Sequence, residues 1–259
     1  MYERRCSEPT SERKERHERS SEHRGVRHAE DDSDRCADGR SSRHTEDVRL
    51  RVYASFVATG RPPLVAELAE AAGLDAARRS LAELAAARHL VLGADGEIVM
   101  AHPFSAVPLG FSAMVRSTLW WGGCAWDSFA LPHLLPAEES VLVATRCPGC
   151  GRALAWDVTT SAPPAGTEVA HFQTPVSAMW DDVVSTCANQ RLYCSEDCVA
   201  RWLHDRSLPR GYVMDLATLW RLASGWYDGR LSRGYTRREP SRAQAYLRDV
   251  GLEGPFWGL

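Results

Sequence analysis

Two thiol pairs, Cys147-Pro-Gly-Cys150 and Cys194-Ser-Glu-Asp-Cys198, constrain the fold of this chain more than any other feature. Two cysteines on one tight turn can chelate, and two such pairs supply the four sulfurs of a tetrahedral zinc site, provided that the segments meet in space. Cys194 also opens a stretch that reads as a half-knuckle followed by a helix to Trp202, a setting that lowers a thiol's pKa. A structural zinc site is therefore expected at Cys147, Cys150, Cys194 and Cys198. A redox pair at Cys147 and Cys150, or a set of free buried thiols, are the rival readings. The even total of eight cysteines does not argue for disulfides, because the N-terminus is charged where an export signal is apolar.

Charge and hydropathy exclude several function classes. Lys and Arg total 31 against 34 Asp and Glu, a net charge of -3, which gives no global attraction to nucleic acid or acidic membranes. The apolar stretches, such as Ala106 to Met114, are broken by Pro and Gly and fall short of the roughly 20 residues of a membrane span. A soluble, cytoplasmic protein of one or two domains is expected.

The chain divides by composition. Residues 1–46 are dominated by Arg, Glu, Asp, Ser and His with no apolar period, and are expected to be a disordered charged segment. From Asp47, Val48, Val52, Tyr53 and Phe56 recur at helical spacing until Gly60; stripes at Leu64 to Ala72 and Ala77 to Ala85 predict two more helices. Leu90 to Leu92 and Ile98 to Met100 flank a turn at Gly93-Ala94-Asp95-Gly96 and predict a hairpin. Three helices and a hairpin over residues 47–104 make a winged-helix-like pattern. Between Pro62 and Ala101, however, three arginines face six acids, the wrong sign for reading phosphates, so a structural or substrate-covering role is preferred and nucleic acid is not an expected partner.

Beyond Phe104 the pattern is strand-rich, with strands expected at Val115 to Trp121, Val141 to Thr145, Ala153 to Val158 and Glu168 to Phe172. Short helices fit Cys124 to Leu131, Ser195 to His204 and Leu216 to Ser224. The expected class is α+β: a winged-helix-like N-terminal domain, then a mostly antiparallel β-sheet core with short helices over residues 105–230. Residues 231–259 continue a stretch that carries eight arginines and four acids from Arg210 to Val250, and read as a basic, partly loose tail.

A second thiol group has different chemistry. Cys124 follows Gly122-Gly123 and opens a helix in which Asp127 stands one turn on, on the same face. The helix dipole favours a thiolate there, and thiolate plus carboxylate suit a soft metal. Taken alone, the pair equally fits a small core residue and a helix cap.

The order of a winged-helix-like domain, Trp120-Trp-Gly-Gly-Cys124-Ala-Trp-Asp127 followed by Leu131-Pro132, and later Asp182-Val-Val-Ser-Thr-Cys187 resembles the organomercurial (alkylmercury) lyases over roughly residues 47–230. A cysteine like Cys147, a tryptophan like Trp202 and a late helix at Leu216 to Ser224 extend the likeness. The resemblance implies that Cys124 and Cys187, the latter after a short strand, bind mercury, and that Asp127 handles the proton in R-Hg+ + H+ giving R-H and Hg2+. It implies no organic cofactor, Hg(II) as substrate and product metal, organomercurials and low-molecular-weight thiols as small-molecule partners, and a mercuric reductase as acceptor of Hg(II). Trp126, Phe129 and Trp180 are candidates to cover the organic group, although aromatic core packing accounts for them equally. Many members carry a second cysteine after the later catalytic one, where this chain has Ala188, and the better-known members lack the four-cysteine set. The alternative is a non-catalytic carrier of Hg, Zn or Cu, or a metal-responsive winged-helix regulator; Asp127 separates the two, since a carrier needs no acid beside the thiol.

Overall fold

The computed structural model describes residues 26–70, 72–135 and 140–259, with side chains from Ser42 onward. Helix α1 (Val26–Thr59) buries Val48, Val52, Tyr53 and Phe56 along one face, as a 3.6-residue period requires. It ends at Gly60, whose φ of +75° suits glycine and whose Cβ, if present, would lie 2.0 Å from the Leu119 carbonyl oxygen. The expectation of disorder up to residue 46 is corrected from Val26 on: propagation of a helix already nucleated by packing needs no further apolar period. Thr45 is already fixed, 3.1 Å from the Ser80 hydroxyl and 2.6 Å from Glu83. The rest of the segment, with Cys6, lies outside the described residues.

Helices α2 (Val65–Leu68) and α3 (Leu74–Ala86) follow. α2 is shorter than its apolar stripe suggests; its start is held by Glu67, whose carboxylate accepts the Leu64 N–H at 2.8 Å. Strands β1 (Val91–Leu92) and β2 (Ile98–Ala101) form the expected hairpin. That hairpin is continuous with the main sheet, because β2 pairs with β3 (Phe104–Ser105).

The run Val115 to Trp121, predicted as one strand, is instead a hairpin of β4 (Phe111–Val115) and β5 (Thr118–Gly122). Arg116 makes the turn with φ of 51°, a local conformation that hydrophobic alternation does not reveal. With β6 (Ser140–Arg146) and β7 (Ala153–Thr159) the antiparallel sheet has the order β1-β2-β3-β5-β4-β6-β7. β6 and β7 alternate buried and exposed residues, which marks a sheet covered on one face.

The covering element is α4 (Ala125–Leu134), which buries every residue from Ala125 to Pro132. A helix apolar all round belongs between layers. It packs on β4 to β7 and, on its other side, against α7 (Leu216–Ser224) and β9 (Gln190–Tyr193). β9 belongs to a second antiparallel sheet, ordered β10 (Tyr212–Asp215), β8 (Val169–Phe172), β9. Helices α5 (Val183–Ala188) and α6 (Glu196–Arg206) flank β9 in sequence. The class is α+β, as expected.

Residues 231–259 are not a loose tail. They form α8 (Pro240–Asp249) and a 3-10 turn at Pro255–Trp257, and Leu247, Leu252 and Trp257 are buried, the last against Trp126, Phe172 and Tyr212. A net basic composition concealed a few well-spaced apolar anchors. Among the described residues, no helix is long and apolar enough to cross a membrane.

Candidate active site

Cys124 is the N-cap of α4. Its backbone is extended, and its sulfur accepts the Asp127 N–H at 3.4 Å. Cap and third helical residue face one another in this geometry, so the Cys124 thiol and the Asp127 side chain share one corner of the fold. Gly122 and Gly123 make the corner possible. A Cβ on Gly122 would lie 2.0 Å from the Ser128 hydroxyl, and one on Gly123 would lie 2.3 Å from Asp127 Oδ2 and 2.7 Å from Met100 Cε. β5 is itself held in place by Trp120, whose indole N–H donates at 2.7 Å to the Phe56 carbonyl near the end of α1.

Cys187 arrives from the other sheet. It sits on α5, a helix begun by Asp182, whose carboxylate accepts the Ser185 N–H at 2.9 Å; the short strand before it in the chain is β8, separated from α5 by a 3-10 turn, and β9 follows. The Cys187 and Cys124 thiols are near enough for each to influence the other's ionisation. Cys187 also donates to Asp127 Oδ2 at 3.9 Å and lies 3.5 Å from His102 Nε2. All three sequence-predicted residues of this group therefore meet, and each is buried.

Burial governs their ionisation. Desolvation, joined by the neighbouring Cys187 thiol and Asp127 carboxylate, pushes the Cys124 thiol well above its ordinary pKa. The helix dipole expected to favour a thiolate is thus outweighed. For Cys187 the hydrogen bond with Cys124 favours the thiolate, yet burial and the Asp127 charge carry its pKa upward. Asp127 is raised to about 6 by desolvation, against the hydrogen bond from Tyr227 that favours the carboxylate. His102 is lowered to about 3 by burial and by the Arg230 and Arg237 charges. Of the two bases beside Cys187, Asp127 is therefore the stronger, and His102 stays neutral near pH 7.

These groups line a cavity of about 240 Å³. Trp126 and Trp180 are in its wall, as are Trp226, Tyr227 and Arg230. Phe129 is not; it is fully buried beneath, against Trp156. His102, Tyr227 and Arg230 were not expected from sequence. Tyr227 lay in a stretch read as basic and aromatic, and a single buried tyrosine announces itself only through its partner, here the Asp127 Oδ1 to which it donates. His102 and Arg88 come from the N-terminal part of the described chain, before β3, so that region borders the cavity.

The other four cysteines also converge: the sulfurs of Cys147, Cys150, Cys194 and Cys198 lie within 4.8 Å of one another. No disulfide joins them.

Residues 104–228 match the family model described as MerB: Alkylmercury lyase. Among solved structures, the fold is similar to one described as the crystal structure of the mercury-bound form of MerB2, at 17% identity and a TM-score of 0.54, over 74% of this chain and 98% of that one. A search of curated proteins gives no match.

Proposed function

Given that residues 104–228 are a domain of the alkylmercury lyase family, we propose that this chain cleaves carbon–mercury bonds by protonolysis with Cys124, Cys187 and Asp127. The observation that carries this reading is the placement of Asp127 between two buried thiols, with its pKa raised to about 6. Hg(II) is soft and prefers sulfur. An organomercury thiolate, R-Hg-SR', exchanges onto Cys124 and releases R'SH, which carries away the Cys124 proton. The Asp127 carboxylate then takes the Cys187 proton as that sulfur adds to mercury. Two sulfurs on the metal push electron density toward carbon, and Asp127 returns the proton as the C–Hg bond breaks with its electron pair on carbon. R-H leaves, Asp127 is again a carboxylate, and Hg(II) remains on two thiolates. Two external low-molecular-weight thiols remove it and reprotonate both cysteines; a mercuric reductase is the downstream acceptor. The sequence of steps calls on no organic cofactor.

Trp126 and Trp180 are suited to cover the organic group and keep water from the reacting carbon. Residues 47–104 are read as a winged-helix-like cover rather than a DNA reader, since His102 and Arg88 of that region face the cavity. A cytoplasmic location suits thiol-dependent release. Against the carrier reading stands the buried carboxylate: storing a metal on two thiols gives no reason to hold a proton-transfer group beside them. The test is incubation with a phenylmercury salt and excess thiol. Benzene release is expected from wild type, and Asp127→Ala should retain mercury while losing ~10²–10⁴-fold in rate. Mercury bound without benzene by wild type would establish the carrier instead.

A further inference from the structure

We propose that Cys147, Cys150, Cys194 and Cys198 hold one zinc ion, and that this ion clasps the sheet leading to Cys124 against the strand leading away from Cys187. Zn–S bonds of about 2.3 Å place the sulfurs of a tetrahedral site about 3.8 Å apart. The four sulfurs already lie within 4.8 Å of one another, with Cys150 and Cys194 at 3.4 Å. That separation is far from the roughly 2.05 Å of a disulfide, and four converging cysteine sulfurs are a donor set that suits zinc.

Both turns are shaped as chelating knuckles. Cys147 N–H donates to the Arg152 carbonyl at 2.9 Å and Gly151 N–H returns to the Cys147 carbonyl at 2.8 Å, which folds the Pro-Gly turn back on itself; Gly151 has φ of +76°. Gly149 touches the second pair: a Cβ there would lie 2.2 Å from the Cys198 carbonyl oxygen and 2.9 Å from its Cα. Cys194 N–H points at the Cys147 sulfur at 3.5 Å, and Arg201 donates to the Gly149 carbonyl at 3.3 Å. Every one of these contacts joins or shapes the two knuckles, and none belongs to the mercury chemistry.

The position of the cluster gives the ion its work. Cys147 directly follows β6, which pairs with β4, whose other partner β5 ends just before Cys124. Cys194 directly follows β9, which begins three residues after Cys187. Zinc at the cluster therefore ties the two routes by which the mercury-binding thiols are delivered.

The full chain, purified without added metal, should carry about one Zn by elemental analysis, and exchange for Co(II) should give the absorption of a tetrahedral four-sulfur site. Cys150→Ser with Cys198→Ser should lose the zinc, whereas Cys124→Ser with Cys187→Ser should keep it. Removing zinc from wild type should increase hydrogen exchange at the end of β6 and along β9. Metal-free wild type that also refuses Co(II), or zinc lost from the Cys124 and Cys187 variant, overturns the site; unchanged exchange on zinc removal overturns the clasp. These readouts do not depend on benzene release, so they stand apart from the fate of the lyase reading.

Discussion

Tyr227 donates its phenolic hydrogen to Oδ1 of Asp127, leaving Oδ2 to face Cys187. The two oxygens are thereby given different tasks: one is anchored and one is presented to a thiol. The anchor is itself held. The Arg230 guanidinium lies 4.9 Å from the Tyr227 ring centroid and donates to the Tyr53 hydroxyl at 3.0 Å. Arg49 donates to the Arg230 carbonyl at 2.6 Å and pairs with Glu46 at 2.7 Å. Helix α1, which lies before the family-matched stretch, thus reaches the carboxylate through a short chain of side chains.

Replacing Tyr227 by Phe removes the interaction that favours the Asp127 carboxylate. A hydrogen bond to a charged group is worth about 1.5–3 kcal/mol, so the Asp127 pKa should rise above 6 by about one to two pH units. Since the step that takes the Cys187 proton needs the carboxylate, the acid limb of the kcat/KM profile should shift upward by that amount. Activity at about pH 7 should fall ~2- to 10-fold as the carboxylate fraction drops, with recovery at alkaline pH. A limb that stays where it was would assign it to another group.

Asp127 also makes stability depend on pH. Its folded pKa of about 6 lies above the ordinary value near 3.9. The native state therefore holds this proton more tightly than the unfolded chain does. The resulting stabilisation is complete below about pH 4 and is lost as pH rises through 6, a change of ~3 kcal/mol. Asp127→Asn removes the titration, so the stability of the variant relative to wild type should grow between pH 4 and 6 and then level off. Urea denaturation at several pH values checks this, and a difference that is flat with pH would show that the carboxyl titrates alike in both states.

Much of this was legible in the sequence for identifiable reasons. Helix α7 and strands β6 and β7 show strong apolar periods, and the observed bounds follow the expected ones closely. Cys124 and Asp127 were legible because a cap and its third helical residue are local in sequence. Cys187 came only through the family resemblance, since nothing near it in the chain marks its role. The β4–β5 hairpin was missed because a single left-handed Arg116 makes the turn. His102, Tyr227 and Arg230 were missed because their meaning lies in side-chain contacts that no local pattern carries: Cys187 to His102 spans 85 residues, Tyr227 to Asp127 spans 100 and Arg230 to Tyr53 spans 177.

Gly123→Ala tests the close approach of β5 to α4. Its Cβ would sit 2.3 Å from Asp127 Oδ2 and 2.7 Å from Met100 Cε. The methionine can move, but the carboxylate is held from its other side by Tyr227. Overpacking of this kind costs typically 1–3 kcal/mol, and displacement of the proton carrier should lower turnover ~10²-fold with little change in mercury binding. A folded Gly123→Ala variant with wild-type turnover would show that Asp127 tolerates displacement.

Cys124→Ser and Cys187→Ser should each abolish benzene release, because one sulfur leaves carbon insufficiently basic and a hydroxyl is a poor ligand for a soft metal. The two thiols act on one metal in one step, so their losses should not add: the double variant should be no slower than either single one. Mercury binding separates the roles. With Cys124 lost, capture by the cap thiol fails, while Cys187 beside Asp127 still takes up phenylmercury without cleaving it. Stoichiometric binding of phenylmercury, measured with the four-cysteine cluster intact as a common background, should fall from two protein sulfurs on mercury after cleavage to one in either single variant. A single variant that still cleaves phenylmercury, or still ends with mercury on two protein ligands from this cavity, would mean that a third group replaces the missing thiol, with the His102 ring nitrogen the nearest at 3.5 Å from Cys187.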